Sequence, residues 1–178
     1  MGRGTYTSGE QLIDFRTGHG NMSPAYTPSA CIVEVEVDAE TGQVTVTGIW
    51  GAHDCGFPLN PMLVKGQVLG ATVMCIGQTL YENLIRIDGK VMNPSFRDYK
   101  MPLATDMPMI ENVGHINVIT NDPSGPFGAK EAGEGAAPAA IAALANAAYN
   151  ATGVRMKSLP ISPDRLLFGL KALQGERR

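Results

Sequence analysis

The sequence predicts an α+β fold in which β-hairpins pack with helices. One segment, "CIVEVEVDAETGQVTVTGIWGAHD", alternates apolar and polar residues on both sides of a turn signal, as a hairpin with one buried face does. Other segments are longer, lack strict alternation and contain many helix formers. Strand and helix patterns are mixed without a regular β-α-β alternation, which favours the α+β class.

Two hairpins are predicted. The strands of the first are expected at about residues 30–38 and 43–54, with the turn around residues 40–42. The segment "NLIRIDGKVMNP" predicts a second, short hairpin that turns at Asp88-Gly89. Between them, "MLVKGQVLGATVMCIGQTLYE" predicts a helix, and its internal glycines suggest close packing against another backbone. A further strand is predicted at the end of "MIENVGHINVIT".

Two more helices are predicted towards the end of the sequence. "AAPAAIAALANAAYNATG" consists largely of helix formers and is closed by Gly153. In "SPDRLLFGLKAL", Ser162 is the expected N-cap and Pro163 the first helical residue. Residues 1–30 show no sustained periodicity, and we expect them to form an extended arm that docks on a partner chain. Residues 31–178 are then the folded domain.

Composition excludes several classes of function. The chain has 178 residues, of which 44% are hydrophobic and 17% charged, which indicates one globular domain. Its net charge is −3 and it has no cluster of Lys or Arg, so neither nucleic acid nor a membrane is an expected partner. The apolar runs are too short to span a bilayer, and the first residues lack the apolar core of a signal peptide, so a cytoplasmic location is expected. Cys31, Cys55 and Cys75 are widely spaced and are expected to be buried free thiols rather than disulfides or a metal site.

A glycine-rich loop, "NDPSGPFGAKEAGEGAA", joins a predicted strand to a predicted helix. Its N–H groups lie at a helix N-terminus, where anions are favoured. The spacing matches neither G-x-x-x-x-G-K-[ST] nor G-x-G-x-x-G, so the usual nucleotide motifs are absent. From the residues alone two interpretations stay open: Glu131 and Glu134 complement the helix dipole, or the loop binds an electron-rich ligand.

Several motifs, taken in order, carry a resemblance to a known family. They are "VEVEVDAETGQVTVTGIWGAHDCGFPLNPMLVKGQVLGATVMCIGQTLYE", "NPSFRDYKMP", "DPSGPFGAKEAGEGAAPAAIAALANAAYNATG" and "LPISPDRLL". Over nearly its whole length the chain resembles the C-terminal part of the large subunit of molybdenum hydroxylases, the xanthine dehydrogenase and aldehyde oxidase family. The resemblance implies that residues 31–178 are the C-terminal half of a molybdopterin-binding domain.

The resemblance implies that Glu134 is the catalytic general base. In the family, a glutamate in a Gly-x-Lys-x-x-Gly-Glu loop lies beside molybdenum held by a pterin dithiolene. It takes the proton from the oxygen that attacks an electron-poor carbon. Residues 128–134 match that motif. His53 and Asp54 resemble the family's step from a strand into a loop and are interpreted as structural.

The resemblance also implies a set of cofactor-binding residues. Gln67 matches the family glutamine that hydrogen-bonds the cofactor, since its amide can donate and accept. The loop residues Gly128, Ala129, Lys130 and Gly133 would contact the pterin through their N–H groups. Lys130 either supplies charge to the loop or is a solvated lysine. The metal ligands would come from the dithiolene, so no protein ligand to the metal is expected. The implied cofactor is molybdenum–molybdopterin, and its cytosine dinucleotide form is one option.

Partners follow from the family's length. A large subunit of the family is several times longer than this chain. The chain is therefore interpreted as one part of a split molybdenum-binding subunit that is inactive alone. The expected partners are a longer chain with the rest of the molybdenum domain, subunits carrying iron–sulfur clusters and FAD, and a small-molecule substrate.

The leading reaction is hydroxylation of an aromatic, heterocyclic or aldehyde substrate with water as the oxygen donor. Reductive dehydroxylation and hydration are alternatives on the same scaffold. Two hypotheses from other classes stay open: a non-catalytic assembly module, and a free-standing small-ligand binder that uses the glycine-rich loop.

Overall fold

The computed structural model describes residues 2–6, 13–21, 23 and 25–176. In this part the main elements are β1 (Ser29–Val37), β2 (Val44–Gly56), α1 (Pro61–Leu80), β3 (Arg86–Ile87), β4 (Lys90–Val91), β5 (Val113–Ile119), α2 (Ala137–Thr152) and α3 (Pro163–Glu176). Short 3₁₀ segments occur at Ala104–Asp106, Ile110–Asn112, Pro126–Gly128 and Glu134–Ala136. This mixture of helices and strands confirms the predicted α+β class.

The two predicted hairpins both form. Strands β1 and β2 are antiparallel, and Val37 pairs with Val44 next to the turn. Gly42 has a φ of +78°, which a glycine adopts without strain. The second hairpin pairs β3 with β4, and its turn residues Asp88 and Gly89 have φ values of 49° and 77°. Positive φ at both central positions suits the right-handed twist of the strands.

The predicted strand β5 joins the first hairpin in a three-stranded sheet of order β1-β2-β5. It lies parallel to β2, with Ile49 opposite Val113 and Asp54 opposite Val118. Parallel strands need a long crossover connection, which here contains α1 and the second hairpin. The carboxyl ends of β2 and β5 therefore lie at the same edge of the sheet.

Two predicted helix boundaries, the end of α2 at Gly153 and the start of α3 at Pro163, occur in the structure, and α1 has a side-chain cap that was not predicted. Asn60 caps α1, because its side-chain oxygen accepts the N–H of Leu63 at 3.1 Å. Helix α2 ends at Gly153, whose φ is 75°. Helix α3 starts at Pro163, and the carbonyl of Ser162 accepts an N–H from the first turn at 3.0 Å.

The core lies between one face of the sheet and helices α1 and α2. Its fully buried side chains are Ile49, Ile76, Leu144, Ile161 and Leu166. The opposite face of the sheet is open and exposes Ile32, Ile116 and Val118 around Trp50, which lies over Gly48 and Gly114.

The sequence predicts close backbone packing at the internal glycines of α1. Gly66 and Gly70 of α1 are exposed, and a Cβ at either would meet no atom of the described residues within 4 Å. The prediction of close packing against another backbone is therefore wrong for these two glycines.

All three cysteines are free, and Cys55 and Cys75 are buried while Cys31 is half-buried. Of the helices described, none combines the length and the apolar character that a bilayer crossing requires.

Candidate functional site

The glycine-rich loop begins where β5 ends and folds back onto the end of β2. The N–H of Lys130 donates to the carbonyl of Cys55, and the N–H of Phe57 donates to the carbonyl of Gly128, both at 2.8 Å. Gly56 has a φ of +68°, and a Cβ there would collide with the Gly128 carbonyl oxygen. The junction between strand and loop therefore requires a glycine.

A buried ion pair ties the loop to β2. Lys130 Nζ donates to Asp54 Oδ2 at 2.7 Å, and the two side chains are only 8% and 12% exposed. Lys130 also donates to the carbonyl of Tyr26 at 2.9 Å, while Asp54 Oδ1 accepts the Gly56 N–H at 2.9 Å and the Thr120 hydroxyl at 2.7 Å. Burial alone would raise the pKa of Asp54, but the hydrogen bonds and the Lys130 charge outweigh it and lower the pKa. The solvated-lysine interpretation of Lys130 is therefore wrong.

The carboxylate of Glu131 holds the turn that follows. Its Oε2 accepts the N–H groups of Gly133 at 2.8 Å and of Glu134 at 3.0 Å, and its Oε1 accepts that of Gly135 at 3.0 Å. Behind it lies His53, which is fully buried and whose Nε2 is 3.1 Å from the Glu131 carbonyl oxygen and 3.3 Å from Oε1. Glu131 thus satisfies N–H groups that would otherwise have no partner at the start of a helix.

The end of the N-terminal arm also contacts the loop. The Ser29 hydroxyl donates to the Gly135 carbonyl at 2.5 Å, and Thr27 Oγ1 would lie 2.9 Å from a Cβ on Gly135. Burial alone would raise the pKa of Glu131, but the bonds from Gly133, Thr27 and Gly135 and the nearby histidine outweigh it and lower the pKa. This part of the arm therefore packs on the loop of its own chain, and docking of the arm on a partner stays a prediction.

Gln67 and Glu134 both lie next to Gly133 at the surface. A Cβ on Gly133 would be 3.4 Å from Gln67 Oε1, and both Gln67 and Glu134 are exposed. Among the described residues, neither side chain forms a hydrogen bond or an ion pair. One amide and one carboxylate are therefore available to an external ligand at this place.

The structure brings three of the six predicted site residues to one cavity. Gln67, Ala129 and Lys130 line one open cavity of about 180 Å³. Gly133 is not in this lining, but a Cβ on it would be 3.4 Å from Gln67 Oε1. Glu134 and Gly128 are not in the lining of this cavity.

The loop N–H groups predicted to contact a cofactor are engaged within the chain. Those of Gly128 and Ala129 donate to loop carbonyls at 3.1 Å, that of Lys130 donates to Cys55, and that of Gly133 donates to Glu131. The role of these residues in cofactor binding stays a prediction that must use other atoms. No group of three or more His, Cys, Asp or Glu able to hold a metal ion occurs in the part of the chain described.

Sequence reasoning missed how His53, Asp54 and Thr27 support the loop. The only signal was a pair of polar residues at the buried end of a strand, "HDCG", where alternation predicts an apolar inward position. His53 occupies that inward position and Asp54 the opposite face. Their interpretation as structural agrees with these contacts.

Comparisons with known proteins identify the family. A family model described as a molybdopterin cofactor-binding domain matches residues 1–108. The chain is 39% identical over 167 residues to the xanthine dehydrogenase molybdenum-binding subunit of Escherichia coli O157:H7, covering 92% of this chain and 21% of that protein. It is 33% identical over 161 residues to the 6-hydroxypseudooxynicotine dehydrogenase complex subunit gamma of Paenarthrobacter nicotinovorans, covering 89% of this chain and 20% of that protein.

The fold also matches a solved structure. Aldehyde oxidoreductase from Desulfovibrio gigas superposes with a TM-score of 0.82 at 32% identity, over 92% of this chain and 17% of that one. Fold and loop together define a cofactor-binding domain of an oxidoreductase. The chain belongs to the molybdopterin cofactor-binding family of the xanthine dehydrogenase and aldehyde oxidoreductase molybdenum-binding subunits. It spans about a fifth of the length of the curated relatives it matches.

Proposed function

We propose that this chain supplies the general base, Glu134, and part of the molybdopterin site of a molybdenum hydroxylase. The reaction is the hydroxylation of an aromatic, heterocyclic or aldehyde substrate with oxygen from water. The observation that carries the proposal is that Glu134 is exposed and unpaired among the described residues, while its backbone is held by Glu131. A structural acid of a first turn would use its carboxylate as Glu131 does.

The unpaired groups at Gly133 fit this role. A base must reach its proton with a free carboxylate oxygen, and Glu134 has one. Gln67, whose Oε1 would be 3.4 Å from a Cβ on the neighbouring Gly133, offers both a donor and an acceptor, as an oxo or pterin neighbour requires. Gln67 would hold the cofactor side of the site and Glu134 would face the substrate.

The chemical balance assigns one proton to Glu134. The substrate and water together give the hydroxylated product, two protons and two electrons. When bound, molybdenum–molybdopterin supplies the two-electron acceptor and activates the water. The Glu134 carboxylate takes the first proton from the attacking water oxygen and then passes it to solvent, to which this side chain is open.

The test is Glu134→Gln in the complex purified from the host. This change keeps the size of the side chain and removes its basicity, so kcat should fall by roughly 10²–10⁴-fold. Molybdenum content and co-purifying polypeptides should stay as in the unmodified complex. Glu111→Gln is the matched control, because Glu111 is an exposed acid of a 3₁₀ turn that forms no ion pair with the described residues.

If the complex with Glu134→Gln turns over a panel of aldehydes and N-heterocycles as fast as the unmodified complex, Glu134 is not the base. No turnover of any of them by the unmodified complex, with an intact molybdenum content, would favour the assembly module. Hydration would show as product formation without transfer of electrons to an added acceptor, and reductive dehydroxylation as loss of a substrate hydroxyl only when an added reductant supplies two electrons.

We further propose that the chain works with a longer polypeptide carrying the rest of the molybdenum domain, in a cytoplasmic complex with iron–sulfur and FAD subunits. The proposal is supported by the fifth of its relatives' length that the chain spans, and by the open face of the sheet, where Ile32 is 68% and Ile116 66% exposed. Such apolar surface is typical of a face that another chain covers. Alone, the chain would lack much of the site and be inactive.

Purification from the host tests these partners. Molybdenum, iron and a longer polypeptide should copurify with the chain, and hydrolysis of the extracted pterin should show whether it carries cytosine. A lone monomer without molybdenum would overturn the proposal and return Glu134 to a structural role.

A further inference from the structure

We propose that Glu131 is a positioning residue that fixes the direction of the Glu134 carboxylate. The inference rests on the proposed function, because it has a catalytic consequence only if Glu134 is the base. It assigns to Glu131 a role distinct from that of an acid placed at a helix dipole.

The Glu131 carboxylate accepts more backbone N–H groups of the turn than a capping side chain normally does. Its two oxygens accept three successive N–H groups, those of Gly133, Glu134 and Gly135, at 2.8 to 3.0 Å. A single capping side chain normally satisfies one such group. The middle one of these three N–H groups belongs to Glu134. Its hydrogen bond to Glu131 therefore sets the direction in which the Glu134 side chain leaves the backbone.

Glu131 is itself held from behind, because the buried ring of His53 lies 3.3 Å from Oε1. Gly135 closes the arrangement: a Cβ there would collide with the Glu131 carboxylate and lie 2.7 Å from His53 Cε1 and 2.9 Å from Thr27 Oγ1. The carboxylate therefore has little room to move without displacing one of these groups.

The exposed side chain of Glu134 has no contact within the described residues that could orient it. Among the described residues, the backbone hydrogen bond to Glu131 is the polar interaction that positions this residue. A displacement of about 1 Å in a reacting group can cost on the order of 10²-fold in rate. Loss of the Glu131 grip should therefore act on kcat, because a general base contributes in the transition state rather than in substrate binding.

The experiment compares Glu131→Ala, Glu131→Gln, Glu134→Gln and the control Glu111→Gln in the purified complex. Glu131→Ala should lower kcat by roughly 10- to 100-fold with KM little changed. Glu131→Gln should recover part of the loss, because its one oxygen still accepts N–H groups. Hydrogen exchange of the amides of residues 133–135, which needs no substrate, should be faster in both Glu131 variants than in the control.

Each other outcome has a defined meaning. If Glu134→Gln abolishes turnover but Glu131→Ala leaves kcat unchanged, the positioning role is overturned and the base proposal stands. If Glu131→Gln loses molybdenum or the partner chains, Glu131 serves assembly and the positioning role is likewise overturned. If Glu134→Gln retains turnover, the proposed function itself fails, whatever the exchange rates of the turn.

Discussion

Replacing Lys130 by methionine tests the buried pair that fixes the glycine-rich loop. Methionine has a similar length but no charge, so Asp54 Oδ2 loses the Lys130 donor at 2.7 Å, while the carboxylate stays 12% exposed. An isolated buried carboxylate is costly, because it has left water without a compensating partner. The carbonyl of Tyr26 loses a donor as well.

The size of the effect follows from the burial of both partners. Removing one member of a buried pair costs about 3–5 kcal/mol. We take the lower end, about 3 kcal/mol, because Asp54 keeps its bonds from Gly56 and Thr120. For a chain of this length, about 2–4 °C is lost per kcal/mol, so the melting temperature should fall by about 6–12 °C.

Urea and thermal unfolding of the chain measure the change. Lys171→Met, on the exposed side of α3, is the control and should change the free energy of unfolding little. The double variant Lys130→Met with Asp54→Asn should recover most of the loss, because a neutral amide oxygen still accepts from Gly56 and Thr120. If Lys130→Met costs less than about 1 kcal/mol, the pair behaves as a surface ion pair and the reasoning is wrong.

Two further predictions concern the same junction. The free energy of unfolding should decrease as the pH falls below about 4, because the pKa of Asp54 is lower in the folded than in the unfolded chain. The ionised carboxylate stabilises the fold fully above its unfolded pKa of about 3.9. This contribution is lost as the pH falls through the folded pKa. Urea titrations of Asp54→Asn should show a shallower pH dependence, and an unchanged slope would exclude Asp54 as a source. Gly56→Ala should lower the free energy of unfolding by at least about 1–3 kcal/mol, since it combines a positive φ with a collision at the Gly128 carbonyl. The matched change Gly66→Ala, in an open part of α1, should instead stabilise by about 0.5–1 kcal/mol, and equal effects would contradict this account.

Local patterns predicted the elements of this fold well. The first hairpin was expected at residues 30–38 and 43–54 and lies at Ser29–Val37 and Val44–Gly56. Gly153 ends α2 and Pro163 begins α3, as expected. Alternation, capping and turn residues act over a few positions and are therefore legible in one sequence. The parallel pairing of β2 with β5 was not predicted, because it joins strands separated by a helix and a hairpin.

In the site, too, local motifs could be read from the sequence, whereas contacts between distant residues could not. The motif around Glu134 pointed to the loop, but spacing could not tell which of Glu131 and Glu134 caps the turn, since both are acids near a helix start. Only the structure shows that the Glu131 carboxylate caps the turn. Lys130 could not be assigned either, because its partner Asp54 is 76 positions away along the chain.

The supports of the loop have a consequence for folding. Its bonds to Asp54, His53, Ser29 and Tyr6 close chain separations of 76 to 118 residues. Loop closure over such lengths carries an entropy cost that must be met before these contacts contribute, so contacts of long range form slowly. The turn that carries Glu134 is therefore expected to become ordered late, after the first hairpin and its helices have assembled. We expect the turn that carries Glu134 to gain amide protection last during refolding, and pulsed hydrogen exchange would report that order.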